Sequence, residues 1–439
     1  MTGGVRSSPR VEWRGDLFRS ELERLSEGLC AFPVLRRRFT HTVTVFVQDV
    51  RSPVLDVRGG LRIRAYVDLD EISEHVVERL LAQPLRGKLQ GKCGGQTAEA
   101  GDVLLRPAQD GRSRPAFAHG GTTYVAWSVR VARRVHRAFG PQLGIAVAGE
   151  RHRVTVDEER HLFRISEDGR VRFLGELGPR IEVKAPSRAE VLAAVRAVDP
   201  NGVLKHVPNR SLALLLADAA RDRVRHPKPR AFPEIELKLA ATRAAKLDPA
   251  AIERWLQTAG AELLAPFPHR IERMRRYHVC VGGSGEECTV VETASGRMSA
   301  KRKRDARLVG TVLVRDTEAS LTTDATGAMT TLDEFLRVRG WTCVNAFTKL
   351  QTKIPFALPN GDAFLVTLDR CRDRVGTPLR QVELEYIGTS SLATRDVEEI
   401  AAELDALAQR LLAAECGFGL APTAGSKHAF FRRAAETAG

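Results

Sequence analysis

Two short runs in this chain place carboxylates at alternate positions. The first is Glu234-Ile235-Glu236-Leu237-Lys238. On a strand, residues two apart share a face, so Glu234, Glu236 and Lys238 point one way and Ile235, Leu237 and Leu239 the other. Neighbouring carboxylates on an enclosed face repel unless a cation neutralises them. A hard divalent ion such as Mg²⁺ or Mn²⁺ takes oxygen ligands of this kind. The same run also suits an exposed edge strand of mixed charge. Glu383-Leu384-Glu385 repeats the pair inside Gln381–Ile387, and between the two pairs stand Lys301-Arg302-Lys303, Arg315, Lys349, Lys353 and Asp369-Arg370. Acids on two strands with lysine and arginine on the others would hold metal ions and several phosphoryl groups together, the basic side chains neutralising charge that the metals leave over. A solvated basic face would use the same residue types.

The rest of the chain must supply strands to carry these residues. With 439 residues, 43% hydrophobic and 28% charged, it has the composition of folded rather than disordered protein and length for two folding units. Lysine and arginine number 68 against 54 acids, a formal charge of +14. That excess favours a polyanionic partner: nucleic acid, an anionic membrane or a phosphate chain. No apolar run approaches the ~18–20 residues that span a bilayer, and Met1-Thr2-Gly3-Gly4 opens no secretory apolar core. The seven cysteines make no CxxC pair and no zinc spacing. An odd number without a framework points to a reducing compartment, so a cytoplasmic location is expected.

Alternating or β-branched runs occur at Thr42–Val47, Leu61–Val67, Thr123–Val131, Arg153–Val156 and Arg180–Val183. They recur at Glu234–Leu239, Thr289–Glu292, Met298–Arg302, Gly310–Arg315, Ala363–Leu368 and Gln381–Ile387. Asp248-Pro249 starts a helix that Gly260 ends, and Asp396 caps a long one with the stripe Ile400, Leu404, Leu407 and Leu411. Arg221–Pro233, basic and proline-rich, reads as a linker. Gly94–Gly121 reads as a surface loop. The expected class is α+β, with two antiparallel barrels or strongly curved sheets and flanking helices.

Residues 234–430 resemble the CYTH group of triphosphate tunnel metalloenzymes. The resemblance rests on the ExExK run at Glu234, the Lys301/Lys303 strand, the segment Arg315-Asp316-Thr317-Glu318, and Leu368-Asp369-Arg370. It continues through the closing strand from Val382 to Gly388 and the C-terminal run from Phe418 to Phe431, which holds Ser426-Lys427. It implies an eight-stranded antiparallel tunnel that binds triphosphate with Mg²⁺ or Mn²⁺. Glu234, Glu236, Glu383 and Glu385 would be catalytic and, with Asp369, hold metal. Lys238, Lys301, Lys303, Arg315, Lys349 and Lys427 would grip phosphates. Two places depart from the family: Arg276-Tyr277-His278-Val279 lacks the acid usual in its strand, and Lys349-Leu350-Gln351 lacks the usual second base, leaving Lys353 to replace it.

The first half resembles the VTC group of polyphosphate polymerase domains, which share the tunnel fold. Leu61-Arg62-Ile63-Arg64-Ala65-Tyr66, Arg153-Val154-Thr155-Val156-Asp157, Glu182-Val183-Lys184 and Lys205-His206 carry this resemblance. It implies phosphate binding by Arg62, Arg64, Lys92, Lys184 and Lys205. Leu35-Arg36-Arg37-Arg38-Phe39 has arginines where that family has a glutamate, so this half is either an anion-binding tunnel without turnover or a degenerate structural copy.

The expected organisation is a helical lead-in over residues 1–34, a VTC-like domain over 35–225 and a CYTH-like catalytic domain over 226–439, two modules in tandem. The expected function is metal-dependent hydrolysis of inorganic triphosphate or of a nucleoside or RNA 5′-triphosphate. A polyphosphate polymerase, an adenylate-cyclase-type reaction and a non-catalytic polyphosphate- or RNA-binding protein remain open.

Overall fold

The computed structural model describes residues 11–22, 34–49, 61–93, 96–105, 114–119, 121–139, 152–199, 210–229, 232–242, 247–266, 269–283, 287–321, 331–391, 395–414, 418–423 and 425–438. The chain divides into two compact units, residues 1–207 and 208–439.

The first unit contains β1 (Val11–Asp16), β2 (Val34–Asp49), β3 (Arg62–Val67), α1 (Glu74–Ala82), β4 (Leu85–Cys93), β5 (Gln96–Leu105), β6 (Ala116–His119), β7 (Thr122–Phe139), β8 (His152–Ile165), β9 (Val171–Glu176), β10 (Arg180–Ala185) and α2 (Arg188–Val198). Its ten-stranded antiparallel sheet runs β1-β10-β8-β7-β2-β3-β4-β5, with β6 on β7 and β9 on β8. Val43, Val45, Ile63, Val129, Val131 and Phe163 fill one face against Val77 and Leu81 of α1.

The second unit contains α3 (Arg210–Arg223), β11 (His226–Pro227), β12 (Glu234–Ala241), α4 (Pro249–Thr258), β13 (Glu262–Leu263), β14 (Ile271–Gly282), β15 (Glu287–Glu292), β16 (Met298–Val309), β17 (Val312–Leu321), α5 (Leu332–Arg339), β18 (Trp341–Ala357), β19 (Asp362–Asp373), β20 (Pro378–Thr389), α6 (Val397–Leu412), β21 (Leu420–Pro422) and α7 (Lys427–Ala438). β12 pairs on one side with β17 and on the other with β20. Pairing therefore passes from β12 through β17, β16, β15, β14, β18, β19 and β20 back to β12.

Strand alternation decides which side of this sheet is apolar. Ile235, Leu237 and Leu239 of β12, Val366 and Leu368 of β19 and Val382 and Leu384 of β20 face outward. They bury against Ile252 and Leu256 of α4 and Ile400, Leu404, Leu407 and Leu411 of α6. Both helices begin at an aspartate cap: Ala250 N–H donates to Asp248 at 3.0 Å and Glu399 N–H to Asp396 at 2.7 Å. With the apolar side covered, the charged positions of the same strands are left on the opposite face.

The expectation of two eight-stranded barrels is met in part. Both units are large antiparallel sheets with flanking helices, but the sheets hold ten and eleven strands. Among the described residues the first sheet is open, with β1 and β5 as its ends. The helical reading of residues 1–34 does not hold for Val11–Asp16. This segment adds to β10 as an edge strand, because Arg14 stands opposite Glu182 and Asp16 opposite Arg180. The loop reading of 94–121 is corrected by β5 and β6, which take their order from pairing with β4 and β7.

Candidate functional site

The charged face of the second sheet is built by register. Glu234 of β12 stands opposite Arg315 of β17. On the other side, Glu236 faces Glu385 and Lys238 faces Glu383 of β20. β20 passes the face to β19, where Thr367 opposes Glu383 and Asp369 opposes Gln381. β19 passes it to β18, setting Gln351 against Asp369 and Lys353 against Thr367. β18 sets Lys349 against Arg275 and Gln351 against Arg273 on β14. Lys301 of β16 stands between Thr289 and Ala319, and Lys303 is the same-face position opposite Thr317. Eight strands thus bring one set of acids and bases together.

These groups are enclosed: Asp369 is 0% exposed, Glu236 2%, Lys238 5% and Arg315 5%. Two ionic groupings result. In the first, Arg315 Nε approaches Glu234 at 3.3 Å, its other nitrogen pairs with Glu236, and Lys238 Nζ lies 3.1 Å from Glu236. Glu385, half-buried beside them, has Lys228 at 3.9 Å. In the second, Lys427 at the start of α7 bridges Asp369 at 2.8 Å and Glu383 at 2.5 Å, and Lys349 reaches Asp369 at 3.4 Å. Lys349 also sits 4.6 Å above the Tyr277 ring, which stacks on Phe347.

Burial alone would raise the Glu383 carboxyl, but Lys427, Lys349 and Lys238 hold it well below the ordinary range. The same exchange raises Lys427, where burial is outweighed by Glu383 and Asp369. Burial likewise opposes, and Tyr277 and Asp369 outweigh it, in raising Lys349. Lys353 goes the other way: burial, then Arg273, bring its amine down to about 7, with Glu385 only partly offsetting. Arg273 is lowered to about 10 by burial and by Arg275. The β14/β18 side of the face therefore carries more positive charge than its carboxylates balance, which is the condition for holding a polyanion.

The donor set also bears on a metal. Carboxylate oxygens suit Mg²⁺ or Mn²⁺, and Glu236 and Glu385 are directly opposed with Glu234 two positions away. Asp369 Oδ1 is buried without a hydrogen-bond partner. The residues fit a hard cation in type and in register. Among the described residues, however, no three ligand side chains are gathered into one cluster, and Arg315, Lys238 and Lys427 pair with the carboxylates.

Sequence reasoning missed Arg273 and Arg275 and named Tyr277 and Gln351 only as departures from the family pattern. The period-two series Arg273, Arg275, Tyr277 was a usable signal for the first three. Lys303 is placed by its strand only, since its side chain lies outside the described residues.

In the first unit Arg62 donates from Nε to Gln90 Oε1 at 3.1 Å. Arg64 stands opposite Thr44, and Thr44 opposite Arg130. Lys184 pairs with Glu182 at 2.7 Å, and Arg14 donates to the same glutamate at 3.0 Å. Arg134 grips Asp157, while Arg160 and Arg180 share Asp16. Arg130 is left beside Arg180, Arg160 and Arg64, and burial followed by these neighbours holds it well below its ordinary value. The Lys92 side chain and Lys205 lie outside the described residues. Arg160, Arg180 and Asp16 were not singled out. Asp16 was hidden by the helical reading of its segment.

No family model matches the sequence, and no curated protein matches it. Solved structures give weak likenesses over somewhat less than half of the chain. One is a protein from Hippeastrum named as a candidate adenylyl cyclase and described as having a dominant triphosphatase activity. It is 14% identical, over 46% of this chain and 96% of that one, with a TM-score of 0.29. Another is the triphosphatase of the Mimivirus capping enzyme, 10% identical over 44% and 94%, TM-score 0.26. The Mediator head module of Schizosaccharomyces pombe matches similarly, 10% identical over 42% and 96%, TM-score 0.28. Neighbours thus include triphosphatases and the Mediator head module, at scores that decide nothing about this chain. No helix of the described residues is long and apolar enough to cross a membrane.

Proposed function

We propose that the second unit hydrolyses a triphosphate with the help of Mg²⁺ or Mn²⁺, on inorganic triphosphate or on a nucleoside or RNA 5′-triphosphate. One observation carries this reading: an enclosed strand face combines two groups of carboxylates with more lysines and arginines than those carboxylates neutralise.

Glu234, Glu236 and Glu385, which pair with Arg315, Lys238 and Lys228, would hold the metal. When bound, it supplies polarisation of phosphoryl oxygens and a water of lowered pKa. Arg315 and Lys238, with Lys301, Lys303, Lys349 and Lys353, would neutralise the phosphate oxygens. Glu383 and Asp369 keep Lys427 and Lys349 charged and in place. Glu383 is too strongly held in its ionised form to be an effective base, since a base works best with a pKa near the working pH. Glu385, whose ion pair with Lys228 is long at 3.9 Å, would orient the attacking water. Enclosure by the sheet keeps other water away and strengthens each charge interaction.

In the first unit, Asp16, Asp157 and Glu182 are each paired with arginine or lysine. That supports anion binding by Arg62, Arg64 and Lys184 without metal chemistry there.

The test is product analysis with tripolyphosphate and ATP. Hydrolysis gives orthophosphate, a cyclase gives pyrophosphate with a cyclic nucleotide, and a polymerase gives lengthening chains. Salt-sensitive, metal-independent binding of the polyanion without any product would replace the enzymatic reading.

A further inference from the structure

Three cysteines form one row across three strands. Antiparallel pairing sets Cys280 of β14 opposite Cys288 of β15 on one side and opposite Cys343 of β18 on the other. The row belongs to the apolar cluster with Val290, Phe335, Leu336 and Trp341. None of the three is in a disulfide; Cys280 and Cys288 are buried, whereas Cys343 is half-buried.

A bulge creates the second contact. Val279 stands opposite Asn345, but the register shifts there and Cys280 stands opposite Cys343, with Val344 left over. Directly opposed residues of an antiparallel pair have Cα atoms about 4.5–5.5 Å apart, inside the ~4.4–6.8 Å that a disulfide bridges. Cys343 Sγ donates to the Asn345 carbonyl at 3.2 Å and Cys280 Sγ to the His278 carbonyl at 3.5 Å. His278, whose Nε2 lies 3.1 Å from the Glu292 carboxylate, is the next neighbour of Cys343. The neighbouring Cys280, working against burial and aided by His278, lowers the Cys343 thiol, while the same neighbourhood and burial push Cys280 up. Of the two, Cys343 is the sulfur whose thiolate form is favoured and Cys280 the one whose thiol form is favoured. Exposure makes the same assignment, since Cys343 is reachable from solvent and Cys280 is not. A thiolate is the form that attacks peroxides.

We propose that Cys343 and Cys280 are a peroxide-responsive pair that closes into a disulfide between β14 and β18. The Cys343 thiolate attacks one oxygen of hydrogen peroxide, breaking the O–O bond, to give the sulfenic acid and hydroxide. The Cys280 sulfur then attacks the Cys343 sulfur, and the S–OH bond breaks. With the Cys280 proton the departing hydroxide leaves as water. Two thiols are oxidised and one peroxide is reduced to two waters in total. Cys288 stays reduced because it is buried and its cross-strand neighbour Cys280 is taken.

The test uses the full-length reduced protein, treated with hydrogen peroxide, quenched with catalase, alkylated and digested for mass spectrometry. The expected result is a peptide pair joined through Cys280 and Cys343 that dithiothreitol separates and that is absent from C343S. In C280S, dimedone should label Cys343. Iodoacetamide labelling of the untreated wild type needs no variant, and there Cys343 should react at least about tenfold faster than Cys288. Equal alkylation of Cys343 with and without peroxide would overturn the proposal, as would a bridge joining Cys280 to Cys288 or labelling of Cys343 no faster than of Cys288.

Discussion

Lys353 offers a quantitative handle on the charged face of the second sheet. It lies on β18 opposite Thr367 of β19, and burial, then Arg273, then other neighbours bring its amine to about 7 in the free protein. A bound triphosphate supplies the negative charge that this region lacks and raises that value, so the complex takes up a proton. The sign follows: affinity falls as pH rises through 7, because only the protonated lysine is matched to the ligand. With a free pKa of about 7 the protonated fraction is about 0.9 at pH 6 and about 0.1 at pH 8, a loss of roughly tenfold in affinity. Tripolyphosphate itself titrates in this range. The informative quantity is therefore the ratio of wild-type to Lys353→Met affinity, measured by calorimetry in chelator so that no turnover occurs. That ratio should fall roughly tenfold from pH 6 to pH 8, and wild type should take up about half a proton more than Lys353→Met on binding at pH 7. A ratio that is flat across this range would refute the assignment of Lys353 to the anion site.

Other outcomes follow from the same contacts. Glu236→Gln leaves the enclosed Lys238 and Arg315 short of a carboxylate and should lower stability by about 3 kcal/mol; thermal unfolding should show tripolyphosphate restoring part of that loss. Leu404→Ala empties a site under α6 that is 0% exposed and should cost about 2–5 kcal/mol by denaturant titration. In the first unit, burial would raise Glu182, but Arg14 and Lys184 lower it from 4.5 to about 2. Its contribution is complete above pH 4.5 and lost as pH falls toward 2, about 3 kcal/mol in all. Glu182→Gln should therefore remove part of the acid sensitivity of unfolding, read by circular dichroism.

The alternation in Glu234–Lys238 and Gln381–Ile387 revealed both strands and both faces, because a strand with one apolar and one charged side writes its geometry directly into sequence. The Asp248 and Asp396 caps were equally legible. β18 was not: Pro355 interrupts a pattern that otherwise suits a strand, and proline argues against an interior strand. Its place between β14 and β19 comes from pairing, which sequence does not record. The charged residues could be named one by one, but not their partners. Nothing in the sequence says that Glu236 faces Glu385, or that Lys427 bridges Asp369 and Glu383. The first sheet was read as a barrel because its strands alternate similarly; its open order depends on β1 and β5, which were read as helix and loop.

The most direct test is ion chromatography of tripolyphosphate incubated with the purified full-length protein and Mg²⁺ or Mn²⁺, alongside a Glu234→Ala/Glu236→Ala variant whose fold is checked by circular dichroism. The account predicts metal-dependent orthophosphate and pyrophosphate from the wild type and none from the folded variant. Hydrolysis that persists in that variant, or no hydrolysis of any triphosphate by the wild type with either metal, would contradict it.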